Sequence, residues 1–185
     1  MSKHVEIILE EGPVNPYEDW DFLGTIVSWH PNYSMGAKVE KGRFIDEVLD
    51  PIDGSESPVS LKIYMRGDDS ITTEGGRRHV GYIYVSKDRL KDEALADKTV
   101  DEVKEILAAE VDAYNHYHMG NCWGVKVYKN CSCCGQPQPD VYESCWGFYG
   151  ETLEETGIVE FVHEVDFGID EEATRAAWDK RFENV

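Results

Sequence analysis

Between Lys129 and Arg175 the chain has no lysine and no arginine, while carboxylates continue throughout. Cations are scarce everywhere: 18 Lys and Arg stand against 37 Asp and Glu, a formal charge of -19. Phosphate contacts need Lys and Arg, so this composition argues against nucleic acid or an acidic membrane as a direct partner. No apolar run approaches the roughly 20 residues of a bilayer-spanning helix. The opening Met1-Ser2-Lys3-His4-Val5-Glu6 turns acidic before a signal-like apolar core forms, from which a cytoplasmic protein is expected. There is no Gly-x-Ser-x-Gly nucleophile elbow. Gly75-Gly76-Arg77-Arg78 lacks the spacing and the lysine of a phosphate loop, and no dinucleotide fingerprint follows a strand. Internal repeats, low-complexity tracts and a recognisable linker are absent too.

What is present is enough for a folded core. The 185 residues include five Trp, ten Tyr and six Phe, against intrinsic disorder despite the charge. Alternation predicts strands at His4–Leu9, Leu23–Trp29, Pro58–Met65, His79–Val85, Trp123–Tyr128, Val141–Tyr149 and Val159–Val165. Gly12 to Trp20 reads as an ordered loop, and Arg66-Gly67-Asp68 as a tight turn. The clearest helix runs from Val100 to about His118, capped by Thr99 or Asp101 and closed by Gly120. Its apolar stripe, Val103, Ile106, Leu107, Val111 and Tyr114, is broken only by Glu110. Shorter helices are expected over Gly42–Leu49, over Glu151–Thr156 and from Asp170 onward. Hairpins mixed with separated helices predict a single α+β domain over residues 1–185, with a largely antiparallel sheet, a long central helix and a C-terminal helix. A cysteine-containing hairpin over 121–149 lies within it.

The cysteines number five: Cys122, Cys131, Cys133, Cys134 and Cys145. Without a secretory signal, reduced thiols or a metal site fit better than a disulfide scaffold. Cys131-Ser132-Cys133-Cys134-Gly135 contains a Cys-x-x-Cys-Gly knuckle at a predicted hairpin tip, a turn that aims two thiolates at one ion. A structural zinc on Cys131, Cys134, Cys145 and Cys122 is one expectation, with His116, His118 and His163 as further donors; a reduced structural hairpin is the other. Along the next strand, alternation places Tyr142, Ser144, Trp146 and Phe148 on one side, either as core or as an exposed aromatic patch inside an acidic rim.

Four stretches resemble a family of small acidic proteins encoded by bacteriophages and mobile plasmids. They are Asp19-Trp20-Asp21-Phe22-Leu23-Gly24-Thr25-Ile26-Val27-Ser28-Trp29-His30, Gly81-Tyr82-Ile83-Tyr84-Val85-Ser86, the central helix, and Ser144-Cys145-Trp146-Gly147-Phe148-Tyr149-Gly150. The likeness follows the same order over most of the chain and implies a shared fold and a bacterial host cell. It brings no catalytic residues with it. In phosphate-like spacing, acids at alternate strand positions or one helical turn apart stand about 6–7 Å from each other. The expected function is therefore inhibition of a basic nucleic-acid-binding host defence enzyme, of anti-restriction or anti-CRISPR type, through a DNA-mimicking surface. Its contact residues would be Glu151, Glu154, Glu155, Glu160, Glu164, Asp166, Asp170, Glu171 and Glu172, with Trp146 and Tyr149. The alternatives are a zinc-stabilised protein-interaction adaptor and a small metal-dependent hydrolase or nuclease.

Overall fold

The computed structural model describes residues 3–19, 21–30, 35–51, 56–66, 70–165 and 168–182. In chain order the strands are β1 (Lys3–Leu9), β2 (Thr25–Ser28), β3 (Ala37–Lys38), β4 (Val59–Met65), β5 (Ile71–Thr72), β6 (Arg78–Val85), β7 (Cys122–Asn130) and β8 (Pro137–Tyr149). The helices are α1 (Pro16–Asp19), α2 (Lys41–Phe44, continued by a π-helical turn over Ile45–Leu49), α3 (Lys87–Asp92), α4 (Val100–Met119), α5 (Leu153–Thr156), α6 (Ile158–Glu164) and α7 (Glu171–Asp179). Helices and mostly antiparallel strands make this an α+β fold, as the element order predicts, with α4 as the long helix. The strands form two sheets, whereas the sequence predicts one. Two compact units result, one of residues 1–14 and 119–185, the other of residues 15–118.

In the unit of residues 15–118, the five strands run in the order β3-β2-β6-β4-β5, and only the β2–β3 pair is parallel. Ile26, Ile63, Val80, Ile83 and Val85 of the sheet pack with Val103, Leu107, Val111 and Tyr114 of α4. The single acid in that stripe has a structural use. Glu110 accepts hydrogen bonds from the backbone N–H groups of Leu23 at 2.6 Å and Gly24 at 2.9 Å, and so holds the entry to β2. Thr99 caps α4 in a reciprocal pair with Glu102, as its position predicts. The expected turn at Arg66–Asp68 falls largely outside the described residues. Part of the Gly12–Trp20 loop is helical, as α1.

The other unit has the order β1-β7-β8, entirely antiparallel. Alternate residues Val5 and Ile7 of β1, with Trp123, Val125 and Val127 of β7, bury one face against Leu153, Ile158, Val162, Ile169 and Trp178. The last group comes from α5, α6, α7 and the α6–α7 connection. Here one prediction is corrected: Val159–Val165 is helix α6 and not a strand. Its buried and half-buried residues, Ile158, Val159, Phe161 and Val162, recur at three and four, and this period overrides the short alternation once Ile158 is counted. Gly157, at φ +69, ends α5 and starts α6.

Candidate functional site

The hairpin β7–β8 carries the cysteines. At its tip, the Cys131 N–H donates to the Gln136 carbonyl at 2.7 Å and the Gly135 N–H donates to the Cys131 carbonyl at 2.9 Å. Gly135 adopts φ +74, a conformation that favours glycine and closes the knuckle. The turn gathers the thiols of Cys131, Cys133 and Cys134 within 4.8 Å of one another, and the sulfurs of Cys131 and Cys133 lie 2.8 Å apart. Cys133 and Cys134 are exposed and Cys131 half-buried. Hydrogen bonds from the Cys133 thiol, and then from the backbone N–H groups of Cys133 and Cys134, bring Cys131 down to about 7. These three sulfurs can hold a metal ion. Among the described residues they are the one group of three or more His, Cys, Asp or Glu ligands within such reach.

Of the four ligands expected from sequence, the structure brings Cys131 and Cys134 into this group. Cys133, not counted as a ligand there, joins Cys131 and Cys134; its signal was the Cys-x-Cys-Cys run. Cys145 and Cys122 do not join. Cys145 pairs with Val125 in mid-strand and Cys122 pairs with Tyr149 at the far end of the hairpin. At about 3.3 Å per residue, these positions lie roughly 20 and 30 Å down β7 from the tip. Cys122 is sealed in the fold, where its thiol donates to Glu10 Oε2 at 3.1 Å. Burial, then the Glu10 carboxylate, pushes it up to about 12. His163 sits on α6, and His116 and His118 on α4, where the Tyr114 ring stacks edge-on to His118 at 4.4 Å.

The aromatic strand divides in a way that alternation alone does not predict. A bulge at Gly147, with φ +83, shifts the register between Trp123–Phe148 and Gly124–Trp146. Phe148 consequently turns inward and packs on Phe161. Trp146 stays outside at 43% exposure, lying across Gly124, where a Cβ would meet its ring at 2.2 Å. Tyr142 is 46% exposed, with Lys129 over its ring at 4.1 Å and Lys3 at 5.2 Å. The core assignment thus fails for Tyr142 and Trp146. Tyr149, expected as a contact residue, is buried, and its hydroxyl donates to the Val14 carbonyl at 2.8 Å. Sequence reasoning also missed a cavity of about 670 Å³ lined by Ile8, Leu9, Glu10, Glu11, Lys126, Trp146 and Arg181.

The acidic residues lie on the helical layer of the same unit. Glu151, Glu154, Glu155, Glu160, Asp170, Glu171 and Glu172 are all exposed on or beside α5, α6 and α7. Several have local work. Arg175 binds Glu154 at 2.6 Å and Glu171 at 2.9 Å, and the Arg175 hydrogen bond holds the Glu154 carboxyl below its usual range. Glu155 completes a capping box with Thr152, and Asp170 caps α7 through the Ala173 N–H at 2.8 Å. Asp166 and the Glu164 side chain lie outside the described structure.

No family model, curated protein or solved structure matches the chain. The fold and the hairpin tip define the class: an α+β protein with a three-thiol cluster and an acidic helical layer. Among the described residues, no helix is long and apolar enough to cross a membrane.

Proposed function

We propose that this is a binding inhibitor from a phage or mobile element, which occupies the nucleic-acid groove of a basic host defence enzyme of anti-restriction or anti-CRISPR type. The observation that supports this reading is the gathering of seven exposed carboxylates on α5, α6 and α7 with Arg175 among them as counter-charge. Capping by Glu155 and Asp170 does not neutralise them. It fixes their positions, which lowers the entropy cost of presenting charge to a partner. Among the described residues, the side-chain carboxylates of Glu151, Glu160 and Glu172 take part in no hydrogen bond or ion pair, and they are the groups most available to a basic groove.

The test is capture from host lysate with washes at low and high salt, using wild type and a Glu151→Lys, Glu160→Lys, Glu172→Lys triple variant. A nucleic-acid-binding enzyme retained at low salt, released at high salt and lost in the variant is expected. Recovery of no such enzyme at low salt overturns the proposal. Arg175→Ala, which frees Glu154 and Glu171, should strengthen the capture.

The thiol cluster favours a second reading, a protein-interaction adaptor. Zinc would fix the hairpin tip, and the exposed Tyr142 and Trp146 of edge strand β8 would meet the partner. Metal analysis of protein purified without added zinc tests this reading: less than about half an equivalent argues against it.

A further inference from the structure

The tip differs from the rest of the molecule in its donors. In a chain with 37 carboxylates, the stretch Asn130-Cys131-Ser132-Cys133-Cys134-Gly135-Gln136-Pro137-Gln138-Pro139 contains none, and it contains no histidine. The ligand atoms gathered there are three sulfurs, with neither a fourth thiol nor an imidazole among the described residues to complete a tetrahedron. Structural zinc takes four protein ligands in almost every case. Thiolate sulfur is a soft donor and selects Cu(I), zinc and iron–sulfur chemistry, whereas the missing oxygen donors are those that suit harder ions.

We propose that Cys131, Cys133 and Cys134 form a trigonal, all-thiolate site for one Cu(I) ion. With metal–sulfur bonds of about 2.3 Å, three sulfurs around one ion stand roughly 4.0 Å from one another in a plane. The three thiols already lie within 4.8 Å, so binding requires the Cys131–Cys133 pair to open from 2.8 Å by about 1.2 Å. This motion is confined to an exposed turn between β7 and β8. Ligation exchanges the three thiol protons for the metal, and nothing is oxidised or reduced. The resulting complex is anionic. Lys3 and Lys129, paired in register two residues before Cys131, supply positive charge at that end of the sheet. Exposure of Cys133 and Cys134 leaves the ion open to attack by an incoming thiol, so the site suits exchange of the metal as well as its retention.

This inference is independent of the acidic-layer reading, and it replaces zinc with a softer ion at the tip. Reduced full-length protein is titrated with Cu(I), kept reduced by ascorbate, in competition with a chromophoric Cu(I) chelator. The expected result is one equivalent bound, with thiolate-to-copper charge-transfer absorption. Cys131→Ser, Cys133→Ser and Cys134→Ser should each lower affinity by more than roughly 100-fold, beyond the range typical of residues outside a metal's ligand set. Cys145→Ser should leave it unchanged, and far-UV circular dichroism verifies folding of each variant. Retention below half an equivalent overturns the proposal. So does unaltered affinity in the tip variants, or a loss that follows Cys145.

Discussion

Two thiols of the same intrinsic acidity are set far apart by their surroundings. Cys131 is brought to about 7 by the donors that surround it in the turn, and Cys122 is raised to about 12 by burial and by Glu10. Because the thiolate is the nucleophile, iodoacetamide at pH 8 should label Cys131 rapidly and spare Cys122 until the chain is unfolded. Peptide mapping by mass spectrometry follows both; equal labelling of the two in the folded protein would contradict these environments. Glu110 yields a second expectation. Burial, the largest influence on it, raises its carboxyl above the ordinary 4.5 despite the two backbone donors. Between 4.5 and the higher folded value, the native state holds more protons than the unfolded chain, so stability falls as pH rises through that window. Glu110→Gln should remove this slope, and Glu110→Ala should cost about 2–3 kcal/mol by orphaning the Leu23 and Gly24 N–H groups. Urea unfolding at pH 4 to 7 measures both. The sequence marks Glu110 as the break in an apolar stripe, yet its partners lie far away along the chain. Local periodicity cannot identify contacts of that kind.

At the scale of elements, most strands and the long helix were legible because their apolar residues repeat with one clear period. The exceptions share a cause. Val159–Val165 satisfies a two-residue period over a short window, but Ile158 and the glycine before it set a three-to-four-residue period. On β8, one extra residue at Gly147 moves Phe148 to the core and leaves Trp146 outside, and alternation read without the bulge assigns both to one face. Cys145 and Cys122 lie away from the Cys131–Cys134 tip for a related reason: closeness in sequence along a hairpin becomes distance once its strands are extended. Gly157 tests the helical joint directly. Its φ of +69 is unfavourable for an L-residue, and beyond its chain neighbours and the adjoining helix backbone no atom lies within 4 Å of the position of an added Cβ. Gly157→Ala should therefore destabilise through backbone strain alone, by about 1 kcal/mol. A lower urea midpoint with an unchanged denaturant slope is the expected result. A loss of slope would instead indicate that α6 detaches.

For the whole molecule, the charge of -19 acts on stability and on association in opposite ways. Both compact units carry an excess of acids, so self-repulsion burdens the folded state in each. Raising ionic strength from 0.01 to 0.15 M shortens the screening length from about 30 to about 8 Å. The thermal unfolding midpoint should rise over that range, while affinity for a basic partner should fall. A comparison of two charge-matched variants separates the general field from a specific surface. Glu151→Lys, Glu160→Lys, Glu172→Lys alters the helical layer. Asp92→Lys, Asp97→Lys, Glu105→Lys makes the same change of charge at exposed positions in the unit of residues 15–118. Both variants relieve repulsion, so both should have higher midpoints than wild type at low salt and weaker dependence on added salt. Binding must divide them if α5, α6 and α7 form the contact surface: the first variant loses the partner, and the second retains it with a moderately slower association. Equal losses in the two would mean that the partner senses only net charge. The carboxylates after Lys129 would then serve solubility, and the fixed geometry of their caps would have no part in recognition.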